Sequence, residues 1–410
     1  MSQFFDGAPV EDAERLHRLL DGIPLALELA AGCALPPARI ADRLGGRHGL
    51  LPAAADRTAK VRAVVGLGHE LLAPRERVLL RRLAVFAGAF DAELAAAVCG
   101  DGGILRRAEV PALLDRLVAA RLVTGSYALR GVVREYAAER LREAGEDDRL
   151  RDRHLKAVCA AYEECHERVS LARRLPWRER VRYLRRARAL AAECDAALAW
   201  AVRAGAAAPG LRLARAATAM GVACPREALE RLPALGAPGE LADCANVLLG
   251  CARGVVEPVV AGVEGLRADG YSYWLGVGYN AAVRVCFARG RPALGRRYLR
   301  ELEDAAAAGD DLVALAGARL ARGDLALLAG EARAARGCAG DALALGREAG
   351  DPRVVVAALR RLASVAEAVG DEEGAARHRG RALPLLRAMG GRPALTGRGE
   401  GGEELVGGGI

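Results

Sequence analysis

Between Val10 and Leu20 apolar side chains return every three or four positions, the spacing of one helix face. The run stops at Asp21-Gly22, and Pro24 then sits where a first helical turn accepts proline, which predicts a second helix over Pro24–Cys33 after a tight corner. Pro36-Pro37 break that helix, and a third is expected from Ala38 to Leu44, ended by Gly45-Gly46. After a Pro/Ala-rich stretch the pattern predicts helices over 58–72, 74–87, 91–99 and 110–120. Arg121–Thr124 and Tyr127–Leu129 alternate about Gly125-Ser126, a two-residue loop of hairpin type, and Val132–Glu143 carries Val133, Tyr136, Ala137 and Leu141 on one helical face. Three helices, a hairpin and a closing helix make a winged helix-turn-helix plan.

Beyond Gly145 the chain reads as helix almost throughout, and it repeats. Short turns at Gly290, Gly330 and Gly370 fall 40 residues apart, with a second set at Gly309-Asp310, Gly350-Asp351 and Gly390 between them, so each unit is a helix pair. Five residues after the turn glycine come Ala335 and Ala375; twelve after come Ala342-Leu343 and Ala382-Leu383, followed by Leu345 and Leu385. Small residues at fixed offsets mark where two helices cross closely, and the pattern resembles the tetratricopeptide repeat. The Gly290 unit is weaker, with Gly295 and Leu302 at the two alanine offsets. Residues 391–410, rich in Gly and Glu without apolar periodicity, read as a disordered tail.

Composition sharpens this picture. A chain of 410 residues exceeds what one hydrophobic core supports, and 52% hydrophobic residues with only 4% aromatic favour helix-on-helix packing. The net charge of +8 could suit nucleic acid, but all 60 basic residues except Lys60 and Lys156 are arginine, and they interleave with Asp and Glu as on solvated helix faces. The ten cysteines show no C-x-x-C pair and no zinc-like spacing with histidine, so they read as small buried residues in a reducing cytosol. No secretory leader is expected at the N-terminus, and the longest apolar run, Ile23–Ala38, is broken by Glu28 and Pro36-Pro37, so a cytoplasmic location without a membrane partner is expected. The six histidines are scattered, no G-x-S-x-G or H-E-x-x-H occurs, and no enzymatic activity is expected.

At Leu20–Ala31 the phrase Leu-Asp-Gly-Ile-Pro-Leu-Ala-Leu-Glu-Leu-Ala-Ala resembles the G-x-P motif in the helical lid of STAND ATPases, the group that includes NB-ARC, AfsR-like and MalT-like regulators. Leu79–Phe90, Leu113–Val118 and Val133–Leu141 look like the winged-helix portion of the same regulators, in the same order. The resemblance implies a mainly α chain with five parts: a helical lid remnant (1–50), a winged helix (51–145), irregular helical repeats (146–250), a TPR-like solenoid (251–390) and the tail. The family's Walker A loop, G-x-x-x-x-G-K-[ST], does not occur, and neither Lys60 nor Lys156 has the glycines around it. Gly22 and Pro24 would then pack against the adenine of ATP or ADP only if a separate P-loop domain completed the site; on the residues alone, Pro24 is simply a first-turn proline. Where NB-ARC relatives carry a His-Asp switch pair this chain has Arg130-Gly131, and an exposed surface arginine is the expectation.

Two kinds of partner follow. The leading expectation is a non-catalytic regulator or scaffold that takes a protein or small effector in its repeats, with Tyr271, Tyr273, Trp274 and Tyr279 as the binding patch or, equally, as core fill. The alternative is a transcription regulator that contacts DNA through the winged helix, for which Arg116 and Arg121 are the candidate contacts. Asp115 beside Arg116 would repel phosphate, so DNA is not favoured.

Overall fold

The computed structural model describes residues 5, 8–45, 50–51, 55–171, 175–236, 239–268, 270 and 272–391. The described residues are mainly α-helical, with no strand among them. The chain divides into two compact units, with the division between Ala157 and Val158.

The first unit contains α1 (Val10–Leu19), α2 (Pro24–Ala31), α3 (Pro37–Gly45), α4 (Arg57–Leu71), α5 (Pro74–Leu83), α6 (Ala92–Cys99), α7 (Val110–Ala119), α8 (Gly131–Glu143) and the start of α9 (Asp147–His166). Local chemistry sets several of these boundaries. Asp56 and Asp91 accept the Ala59 and Leu94 amides at 2.7 Å as N-caps of α4 and α6, and Pro24 and Pro74 open α2 and α5. Helix α5 stops at Leu83, short of the expected 87, because Ala84, Val85 and Phe86 close with tightened i to i−3 bonds and Phe86 turns to stack on Phe90 at 4.3 Å. Helix α1 packs on α3, α2 on α4, and α5 on α7 and α8. One core results, in which Leu79, Leu80, Leu83, Leu114, Leu117 and Val133 are fully buried. Gly32 at the end of α2 lies so close to α7 that a Cβ there would meet the Ala120 carbonyl oxygen at 2.3 Å.

The expected hairpin does not form. Arg121 and Tyr127 both adopt left-handed backbone (φ 58° and 51°), which breaks the extended run at its start and beyond its turn. Tyr127 donates to the Thr124 carbonyl at 2.9 Å, but its own carbonyl turns away and accepts the Phe90 amide at 3.0 Å. A hydrogen-bonded turn stands where a two-stranded wing was expected.

The second unit holds the rest of α9, a π-helical turn at Glu167–Leu171, and twelve further helices. They are α10 (Trp177–Ala189), α11 (Ala191–Ala204), α12 (Ala207–Ala219), α13 (Arg226–Ala234), α14 (Glu240–Arg253), α15 (Val256–Ala268), α16 (Tyr273–Ala288), α17 (Pro292–Ala308), α18 (Leu312–Leu328), α19 (Ala332–Glu348), α20 (Pro352–Ala368) and α21 (Glu372–Ala388). From α14 onward each helix packs on the next, while α12, α14, α16, α18 and α20 also touch in series, as stacked helix pairs do. The 40-residue spacing is the register of these pairs. Ala335, Ala342, Ala375 and Ala382 are buried at the crossings, and a Cβ at Gly295 of the weaker unit would meet the Phe287 ring at 2.7 Å. The turn glycines Gly290, Gly330 and Gly370 all have φ between 66° and 78°, conformations that a side chain would strain. Asp311, Asp351 and Asp371 cap α18, α20 and α21 through backbone amides at 2.8 to 3.1 Å.

Helix α10 closes the array. Arg180 donates to the Ala349 carbonyl at 3.2 Å, Arg185 to Ala388 at 2.9 Å and Arg188 to Met389 at 2.7 Å, so three arginines satisfy the free carbonyl ends of α19 and α21. Trp177 packs on the core shared by α18 to α21. Apart from Gly391, the expected tail lies outside the described residues.

Candidate functional site

Helix α16 begins where Ser272 caps it, its hydroxyl accepting the Leu275 amide at 3.3 Å, and this places Tyr273 and Trp274 in its first turn. Both residues line a partly open cavity. The remaining wall comes from Thr218 and Ala219 of α12, Cys224, Leu229 of α13, Val247, Leu248 and Cys251 of α14, and Val277, Asn280, Ala281 and Arg284 further along α16. The wall is largely apolar, with its polar groups at Thr218, Asn280 and Arg284. Such a lining suits an apolar group of a small molecule or an inserted apolar side chain.

The two aromatics are held from behind. Tyr273 meets Trp274 edge to face at 5.1 Å, His166 lies 4.9 Å from Tyr273 and 5.3 Å from Trp274, and the Arg215 guanidinium covers the Trp274 ring at 5.2 Å. His166 closes α9 directly before the π-helical turn and is only 8% exposed; its Nδ1 has no hydrogen-bond partner. Burial, helped by the nearby charges of Arg353 and Arg215, pulls its pKa down to about 4, so the imidazole is neutral at pH 7. Arg353 forks onto Asp351 (2.6 and 3.1 Å), donates to the Ala219 carbonyl at 2.6 Å and reaches Ser170 of the π turn at 3.4 Å. Burial opposes both charges, but their mutual attraction prevails, keeping the Asp351 carboxyl below its ordinary range and the Arg353 guanidinium above. The Tyr273 hydroxyl is buried beside Arg353 and Ser170.

Of the four aromatics expected to form a patch, the structure brings Tyr273 and Trp274 together at the cavity. Tyr279 lies elsewhere, 5% exposed, facing Tyr298 at 6.1 Å and receiving a hydrogen bond from Arg267 at 3.3 Å. Tyr271 lies outside the described residues. His166 and Arg353 behind the aromatics, and Cys224 in the cavity wall, carried no local signal in the sequence, because they come from distant parts of the chain.

In the first unit Gly22 takes the left-handed conformation (φ 64°) that lets its amide donate to the His17 carbonyl at 2.9 Å, where a Cβ would strike the His17 ring. Pro24 is exposed at the start of α2, and Asp21 beside the corner is ion-paired with Lys60. Arg130, expected as an exposed surface arginine, is half-buried, and its two terminal nitrogens hold both oxygens of Glu28 at 2.7 Å, while Arg121 lies 4.0 Å from the same carboxylate. The Glu28 pKa is lowered chiefly by the Arg130 hydrogen bonds. Arg116 pairs with Glu76 at 3.2 Å, and Asp115 accepts the Tyr127 hydroxyl at 3.2 Å. The exposed face of α7 is therefore Pro111, Ala112, Asp115, Arg116 and Ala119, a poor set of base readers.

All ten cysteines are free thiols, and among the described residues no group of three His, Cys, Asp or Glu side chains is placed to hold a metal. No helix among them is long and apolar enough to cross a membrane.

No protein-family model matches the chain. An uncharacterized protein of Mycobacterium bovis is 38% identical over 152 residues, covering 34% of this chain and 39% of that one. A Mycobacterium tuberculosis protein whose name marks it as a candidate HTH-type transcriptional regulator is 39% identical over 144 residues, covering 32% of this chain and 16% of its own length. The chain thus spans less than half the length of these curated relatives. Among solved structures, a STAND protein with a tetratricopeptide repeat sensor from Pyrococcus horikoshii is similar at a TM-score of 0.39 and 16% identity, over 95% of this chain and 53% of that one. BtubC from P. vanneervenii is similar at a TM-score of 0.34 and 16% identity, over 61% of this chain and 96% of that one. Both likenesses are too loose to carry an argument about fold or function.

Proposed function

We propose that this chain is a non-catalytic regulator of the STAND type, which receives a small effector or a partner's side chains in the cavity of its helical repeats. The observation that carries the reading is the apolar cavity with Tyr273 and Trp274 at its wall, built where alternate helices of a stacked array meet. The Mycobacterium tuberculosis relative, named as a candidate transcriptional regulator, supports a regulatory role. ATP or ADP would reach the Gly22–Pro24 corner only with a P-loop domain supplied from elsewhere.

The test uses the dye 8-anilinonaphthalene-1-sulfonate on the full chain. The dye is expected to gain fluorescence with one saturable site and to quench Trp274, and Ala281→Trp, which fills the cavity wall, is expected to remove that site. Unchanged dye binding in an A281W protein with native circular dichroism would sink the reading.

The DNA alternative draws on the same relative's HTH name. Against it stand the small and acidic side chains on the exposed face of α7. A mobility shift with random duplex DNA at rising salt separates the two: phosphate-bound complexes weaken steeply with salt, and no retarded band at low salt is the outcome expected here.

A further inference from the structure

One face of α16 lines the cavity along most of its length, with Tyr273 and Trp274 in the first turn, then Val277, Asn280 and Ala281, and last Arg284. Trp274 and Arg284 stand about 15 Å apart along the helix axis. Among the described residues that line the cavity none is Asp or Glu, and the only basic one is Arg284. We propose, resting on the reading of this cavity as an effector site, that it takes an apolar monocarboxylate, with the hydrocarbon part against Trp274 and Ala281 and the carboxylate at Arg284 and Asn280.

The polar groups of the wall distinguish its two ends. Thr218 and Cys224 both direct their hydrogens at the Ala214 carbonyl, at 2.9 and 3.4 Å, so neither offers a donor to a ligand. Asn280 is placed differently. Its Nδ2 donates to the Gly276 carbonyl at 3.2 Å, which leaves the second N–H of that amide for a ligand oxygen. Gly317 of α18 makes room for this side chain, since a Cβ there would stand 2.7 Å from the Asn280 Oδ1. Arg284 follows Asn280 by one helical turn, on the same side of α16. The forked N–H groups of a guanidinium match the two oxygens of a carboxylate.

The local charges select a single negative charge. Near Arg284, Asp324 of α18 is held by Arg361, whose Nη2 donates to one oxygen at 2.8 Å and whose Nε lies 2.5 Å from the other. Burial raises the Asp324 pKa, and Arg361 and then Arg284 oppose the rise. Two guanidiniums therefore act on one carboxylate, and the three together are positive. A monoanion at Arg284 brings them to neutrality, whereas a cation adds to the repulsion. At the other end Arg215 covers the Trp274 ring but is itself paired with Glu240 at 3.3 Å, so that end suits hydrocarbon.

Octanoate, 1-octanol and octylammonium join one hydrocarbon to three headgroups, and each is titrated calorimetrically into the full chain at neutral pH. Octanoate is expected to fill one site at least about tenfold more tightly than octanol, with octylammonium weaker than either. Arg284→Gln should bring octanoate down to the affinity of octanol and leave octanol unchanged, while Arg284→Lys should keep the preference. Equal binding of octanoate and octanol by the unsubstituted chain overturns the carboxylate assignment and leaves the effector site standing, whether or not either variant folds. An undiminished preference in an R284Q protein with native circular dichroism overturns the role of Arg284. Failure of all three ligands while the anilinonaphthalene dye still binds, and is lost in A281W, sinks this proposal alone; failure of the dye as well sinks the effector site with it.

Discussion

Arg130 and Glu28 lie 102 positions apart and meet through two hydrogen bonds of 2.7 Å. The pair ties the segment before α8 to the helix that follows the Gly22–Pro24 corner, so the corner and the expected winged-helix region are parts of one folded unit. With Arg130 engaged in this way, it serves structure first.

Glu28→Gln should cost about 1 kcal/mol, the usual worth of a forked but partly exposed ion pair. The Glu28 pKa is depressed in the folded chain, chiefly by the hydrogen bonds from Arg130. Its contribution is therefore present above the ordinary carboxylate range and disappears as pH falls through the lower folded value. Urea unfolding at pH 7 of E28Q, Arg130→Ala and the double variant should give losses that do not add, and the gap between E28Q and the unsubstituted chain should shrink below about pH 4. Additive losses would separate the two residues energetically.

Arg82 shows a stronger version of the same chemistry. It is fully buried, bonded to Asp101 at 2.8 Å, Glu146 at 2.7 Å and the Cys99 carbonyl at 2.7 Å, with Arg81 also on Glu146 at 3.0 Å. Arg82→Met should destabilise the first unit by about 3 kcal/mol, since two largely buried carboxylates lose their main partner. Burial alone would raise both carboxyls, but the arginines prevail and hold Asp101 well below the ordinary range and Glu146 below it. That stabilisation is complete above the unfolded carboxylate pKa and is lost as pH falls toward the folded values. The triple change R82M/D101N/E146Q should recover much of the loss and flatten the acid limb of the urea midpoint; a single R82M that unfolds at the native midpoint would refute the account.

Legibility followed the range of the forces. The Gly22–Pro24 corner, the 40-residue register and the crossing alanines Ala335 and Ala375 were readable because backbone conformation and helix contact leave marks on consecutive or evenly spaced residues. The wing was misread because Gly125-Ser126 satisfies a local hairpin rule, while the outcome turned on Tyr127 going left-handed so that its carbonyl could reach Phe90. At the cavity, Tyr273 and Trp274 stood out as rare aromatics. The groups that fix them did not, because Arg353, held by its neighbour Asp351, reaches Ser170 and Ala219 far away in the chain, and no sequence window contains them together.

His166 supplies a pH test of that arrangement. Its pKa falls to about 4 through burial first and then through Arg353 and Arg215, against an ordinary value near 6.5. A base with a depressed folded pKa is neutral in the native chain, so as pH drops below 6.5 the unfolded state takes up a proton that the folded state refuses. Stability contributed by the neutral ring is thus full above about pH 6.5 and is lost progressively toward pH 4, by up to about 3 kcal/mol. His166→Phe keeps an aromatic ring against Tyr273 and Trp274 but cannot titrate. The urea midpoint read by tryptophan fluorescence should fall more steeply between pH 7 and pH 5 in the unsubstituted chain than in H166F. His69, also lowered by burial, is common to both proteins and cancels in the difference. Parallel slopes would mean that His166 already reaches solvent, and that the wall behind the cavity is looser than the stacked rings imply.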